Sequence, residues 1–117
     1  MSKENDPIVI EVGFDERGMV GVNEWIIWAD PNEEITWTSN FPFAIHFDRN
    51  SPMLSMVYNS AEIGSRHEVK ARVVYNHQDG GGRRFSYYIA SYMEDNELGK
   101  VVDIVDPEII IPRGPRR

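Results

Sequence analysis

Apolar residues recur at every second position in short runs along this chain, and that spacing limits the fold more than any other feature. Ile8, Ile10, Val12 and Phe14 alternate with Val9, Glu11, Gly13 and Asp15, the period of a strand with one face buried. Ile35 and Trp37 alternate with Glu34, Thr36 and Thr38, and Phe43, Ile45 and Phe47 with Ala44, His46 and Asp48. The same holds for Val69, Ala71, Val73 and Tyr75, and for Phe85, Tyr87 and Ile89. Shorter apolar runs lie at 19–22, 25–28, 101–105 and 109–111. Turn chemistry separates the runs, as in Asp15-Glu16-Arg17-Gly18, Asp30-Pro31-Asn32, Asp79-Gly80-Gly81-Gly82 and Asp106-Pro107. No helical period persists. The pattern predicts an all-β fold of about seven or eight short strands, a Greek-key β-sandwich. Residues 53–58 fit a short strand or a helical turn, and 59–66 are expected to be irregular.

The length of 117 residues suits one domain. Residues 1–7 read as a loose polar lead, 8–111 as the sandwich, and 112–117 (PRGPRR) as a basic tail. Five Phe, five Tyr and three Trp bring large buried area to a small core. There is no cysteine, which excludes a disulfide scaffold, a thiol nucleophile and any Cys-ligated metal. The net charge of −7 disfavours nucleic acid and anionic membrane surfaces, both of which call for a basic face. The first residues carry no apolar signal-peptide core, and no run approaches the roughly 20 apolar residues of a membrane span. A cytoplasmic location is the expectation.

The order of motifs resembles the cupredoxin-like family. There, a strand of the form I-x-W-x-N leads through a loop to an H-x-F segment; here Ile35-Thr36-Trp37-Thr38-Ser39-Asn40 precedes Phe43-Ala44-Ile45-His46-Phe47. A later family strand, Y-x-[FY]-x-C, carries the copper thiolate; here Phe85-Ser86-Tyr87-Tyr88-Ile89 has its aromatic alternation, with Ile89 where the cysteine falls. The resemblance spans residues 8–111, and the segment VDIVDPEIIIP also looks like the ending of small bacterial members of unknown role. Blue copper takes a thiolate, two imidazoles and a weak axial ligand. This chain has no cysteine and no histidine after His77. The resemblance therefore implies a cupredoxin scaffold without copper and with no cofactor.

His46 matches the family's first ligand position and is the one metal candidate. Its possible partners, His67 and His77, lie about 33 Å apart along an extended strand at roughly 3.3 Å per residue, too far to share an ion without a bend. A partly buried, hydrogen-bonded imidazole near a loop is the plainer reading, and a weak site of His46 with Asp48 the rival. Glu94-Asp95-Asn96-Glu97 lacks the spacing of a calcium loop. Asp79-Gly80-Gly81-Gly82-Arg83-Arg84 invites phosphate but joins two predicted strands and reads first as a hairpin turn. No serine stands in a G-x-S-x-G elbow.

Aromatic residues exceed what one strand face needs. Tyr88 and Tyr92 fall opposite Phe85, Tyr87 and Ile89 and are expected to point outward, and Phe41 lies in a loop; these three are the candidate interaction residues. Exposed aromatics beside a polar rim mark interfaces, while cross-strand pairing of a sheet face is the alternative. The sequence thus points to a non-catalytic binding or assembly domain that meets a protein partner or a second copy. The rivals are the weak metal protein, a small-ligand binder or enzyme with a pocket between the sheets, and an immunoglobulin-like sandwich.

Overall fold

The computed structural model describes residues 7–14, 20–75, 82–92, 101–105 and 107–111. The described residues form eleven strands: β1 (Ile8–Phe14), β2 (Val20–Val22), β3 (Ile26–Trp28), β4 (Glu34–Ser39), β5 (Phe43–Phe47), β6 (Val57–Asn59), β7 (Ala61–Ile63), β8 (Arg66–Arg72), β9 (Arg83–Tyr92), β10 (Val101–Val105) and β11 (Glu108–Ile111). The described residues contain no helix, and none therefore is long and apolar enough to cross a membrane. The all-β sandwich expected from the alternation is present. Its strands outnumber the expected seven or eight because four three-residue strands, β2, β3, β6 and β7, form at sheet edges.

One sheet runs in the order β2-β1-β4-β8-β7, the other β3-β11-β9-β5-β6. β1 pairs with β4 in parallel, as does β3 with β11, and the remaining pairs are antiparallel. β1 and β11 each lie inside a sheet, flanked on both sides. Along one edge of β9, β11 pairs with Arg83 to Ser86 and β10 with Ile89 to Tyr92. β10 also approaches β2 of the other sheet.

The chain changes sheets at both sides of the sandwich. Residues 23–25 lead from β2 to β3, and there Asn23 prolongs the β1–β2 ladder: its N–H donates to Glu11 O (3.2 Å) and its Oδ1 accepts from Glu11 N–H (2.9 Å). Ser60 alone separates β6 from β7. It holds that corner on β5, its N–H donating to Phe43 O (2.9 Å) and its Oγ accepting from Phe43 N–H (3.0 Å). Residues 59–66 are thus not irregular. They contain β7 and a hairpin in which Gly64, at φ 62°, supplies the positive φ of a two-residue turn before Arg66 pairs with Ile63. Residues 53–56 bend without helix, and β6 begins at Val57. The Asp30-Pro31-Asn32 turn forms as its chemistry requires. Asn32 takes φ 74°, a value that favours Asn or Gly after Pro, and Glu33 Oε1 accepts from Asp30 N–H at 2.8 Å.

Both inner faces supply the core. Ile10, Val12, Ile35, Trp37 and Val69 come from one sheet and Phe43, Ile45, Phe85, Tyr87, Ile89, Ile109 and Ile111 from the other. Trp37 and Tyr87 meet across the interface edge to face, ring centres 5.6 Å apart, and Phe47 packs on the other side of Tyr87. Trp37 Nε1–H donates to Tyr87 Oη at 3.2 Å, so neither buried polar atom is orphaned. At the sheet surface Arg66 joins three segments, donating to Glu11 Oε2 (2.6 Å), Asn40 Oδ1 (2.5 Å) and Thr38 Oγ1 (3.2 Å). Its ion pair with Glu11 is part-exposed, and such pairs contribute little individually. Arg66→Ala is expected to lower stability by about 1 kcal/mol in urea unfolding, the whole fold remaining intact.

Candidate functional site

The expected interaction residues separate in the fold. Tyr88 points outward from β9, as its parity requires, with 38% of its surface exposed. It sits opposite His46 on β5, and His46 in turn sits opposite Val57 on β6. The three form a row across the outer face of the six-stranded sheet. His46 is half-buried within that row, while His67 lies on β8 of the other sheet. Among the described residues no three His, Asp or Glu side chains gather as a metal-binding group. Phe41 is half-buried: its ring packs against the core and under Phe14, ring centres 4.5 Å apart, so Phe14 rather than Phe41 meets solvent. The side chain of Tyr92, His77 and the 93–100 segment lie outside the described residues.

Among the described residues the most exposed aromatic cluster lies instead where β2 hands the chain to β3. Trp25, Ile26 and Trp28 are 51%, 48% and 49% exposed. The sequence marks them as an apolar run, Trp25-Ile26-Ile27-Trp28, with both tryptophans among its surplus aromatics. Ile27 alone points into the core, which leaves Ile26 and Trp28 on the outer face beside Glu108 and Ile110 of β11. Among the described residues β3 is the last strand of its sheet. Glu108 N–H donates to Trp25 O (2.9 Å) and Ala29 N–H to Ile110 O (3.0 Å). Alternation along a strand therefore turns the backbone of Trp25, Ile27 and Ala29 towards β11, and that of Ile26 and Trp28 towards the open edge. Natural edge strands are blunted by being very short or by lysine, proline or a bulge; β3 is short, at three residues, and carries none of the others.

Trp25 also walls a groove of about 360 Å³ on the neighbouring hairpin, lined further by Glu11, Phe14 and Asn23. Its floor is bare because Gly13 stands directly opposite Gly21. A Cβ at either glycine would meet nothing within 4 Å, so packing within the described structure does not require them. Glycine inside a strand weakens it and accompanies close approach of another group. The groove and β3 form one continuous surface around Trp25.

No protein-family model matches this chain, and no curated protein matches its sequence.

Proposed function

We propose that the chain is a copper-free, cupredoxin-like binding domain that acts through protein contact, with a second copy of itself docking along β3. The observation that carries this reading is the open β3 edge, flanked by two half-exposed tryptophans. An antiparallel copy centred on Ile27 sets Ile26 of each chain against Trp28 of the other. Both residues turn their backbone outward, so this register forms N–H···O=C bonds at both pairs. It also places a β-branched residue against an aromatic one, a favoured cross-strand pair. The arrangement is self-complementary, as a two-fold interface must be. The cupredoxin part of the reading rests on the motif order of residues 35–47 and 85–89, together with the mixed pairing of the two sheets.

Sedimentation of the full chain tests it. The wild type is expected to dimerise at micromolar to millimolar concentration. Ile26→Lys and Trp28→Lys, both at exposed positions, are expected to be folded monomers. Glu24 and Asp30 flank β3, and in this register they meet across the dimer, adding to the mutual repulsion of two chains each at −7. The Debye length falls from about 30 Å at 0.01 M salt to about 3 Å at 1 M, which screens this repulsion, so dimerisation is expected to tighten as salt rises. A strict monomer at high concentration and high salt overturns the self-association. The glycine-floored groove favours a second reading, a small-ligand or peptide site beside Trp25. Ligand-induced quenching of tryptophan fluorescence that Trp25→Ala abolishes, with the protein monomeric, selects it.

A further inference from the structure

At the opposite border of β9 the acidic chain gathers positive charge. Arg49, Arg83 and Arg84 line one concavity of about 210 Å³, together with Asp48, Asn50 and Ser86. The concavity exists because the β5–β9 ladder parts there. Its last bond runs from Asp48 N–H to Ser86 O at 3.0 Å. Arg49 then takes φ 25°, a region uncommon for residues other than glycine, and the loop swings away from β9.

The parting leaves a donor unused. Tyr87 N–H donates to Pro107 O on the β11 side, whereas Ser86 accepts on the β5 side. Even-numbered residues of β9 therefore turn their backbone towards β5, and Arg84 is the next to do so. No hydrogen bond joins its backbone to residues 48–50 among the described residues. Its N–H faces the concavity, which Arg83, over Phe85 on the core side, and Arg84, beside Glu108 on the outer side, border from opposite faces of the strand.

The guanidinium groups are only lightly engaged. Arg84 Nε lies 3.5 Å from Glu108 Oε1, and Arg83 rests over the Phe85 ring at 5.7 Å. Arg49 and Arg83 form no ion pair among the described residues. Asp48 and Glu108 oppose two of the three charges, which leaves the site net positive by one on a chain of net charge −7. The volume is several times the roughly 30 Å³ that one water occupies in the liquid, room for a small oxyanion with part of its hydration.

We propose that this concavity is a binding site for a tetrahedral dianion, the phosphoryl group of a small molecule, held by Arg49, Arg83, Arg84 and the Arg84 N–H. Guanidinium forks match the oxygens of such a group, and a backbone N–H adds a fixed donor. The site is independent of β3 and stands whether or not the chain self-associates.

Amide NMR titration of the full chain with inorganic phosphate at low salt tests it. Shifts confined to residues 48–50 and 83–86 are expected, with dissociation constants of about 1 mM or below. Arg83→Gln with Arg84→Gln is expected to weaken binding at least tenfold. Arg49→Gln, a change in an exposed loop, gives the same direction should the double variant unfold. Sulfate binding at the same place supports the site, and a phosphomonoester binding more tightly than free phosphate identifies an organic phosphate as the occupant. Acetate or succinate binding as well as phosphate, shifts that persist in the arginine variants, or no shift at all overturns the proposal.

Discussion

Trp37→Ala is expected to cost about 3–5 kcal/mol, the range for removing a large aromatic side chain from a core. Against a total stability of about 5–15 kcal/mol, that removes a large part of the folded population. Trp37 is fully buried on β4 and packs edge to face on Tyr87 of the opposite sheet, so truncation opens a cavity at the seam between the layers rather than at a surface that can relax. It also takes away the Nε1–H that donates to Tyr87 Oη. Trp37→Phe separates the two effects. It keeps most of the packing, loses the hydrogen bond, and is expected to cost about 1–3 kcal/mol. Urea midpoints of the two variants and the wild type measure both; equal costs for Ala and Phe would show that packing at the seam matters little.

Tyr87 is expected to make the protein lose stability in alkali. Burial penalises the phenolate and moves the Tyr87 hydroxyl far above its ordinary pKa of 10, an effect only partly opposed by the hydrogen bond from Trp37. Below pH 10 the folded and unfolded states both keep the proton, and this contribution to stability is fully present. Above pH 10 the unfolded chain releases a proton that the folded protein retains, and stability falls by up to about 1.4 kcal/mol per pH unit from this group alone. Lysines and the other tyrosines also titrate in that range, so the comparison with Tyr87→Phe isolates it. At pH 8 the variant is expected to be the less stable, because Trp37 Nε1–H loses its acceptor in a buried site. The gap is expected to narrow, and then to reverse, as pH rises past 10. Parallel curves from pH 8 to 12 would mean that Tyr87 does not titrate with unfolding.

The strands that alternate were legible in advance because each presents one face to a core. Ile35 and Trp37, or Phe85, Tyr87 and Ile89, announce both strand and orientation, and the outward aim of Tyr88 followed from the same parity. β7 had no such signal: Ala61, Glu62 and Ile63 are all exposed, so no alternation exists to read. β6 and β7 form because the chain bends at Ser60 and meets partners in different sheets, at Ala44 and at Glu68. Pairings that distant leave no local trace. The candidate site divides in the same way. Trp25 and Trp28 were visible as surplus aromatics, but their exposure depends on β3 ending its sheet. Phe41 looked like a loop residue free to bind, yet the chain turns at Ser39 and Asn40 and lays its ring beneath Phe14. The arginines at 83 and 84 were visible beside the glycines; that they border one concavity with Arg49 depends on where two strands part.

The placement of β11 between β3 and β9 bears on how the polypeptide matures during synthesis. A strand inside a sheet contributes two ladders at once, and residues 108–111 form the last of the described strands to be translated. At about 5–20 residues per second on the ribosome, the earlier strands wait for several seconds while the tryptophans of β3 and the start of β9 lack their shared neighbour. During that interval a nascent chain displays two unpaired borders in place of one seam, and a holding chaperone would find its substrate there. Stalling translation before residue 108 is therefore expected to leave β3 open to protease, whereas stalling with residue 111 clear of the exit tunnel is expected to protect it.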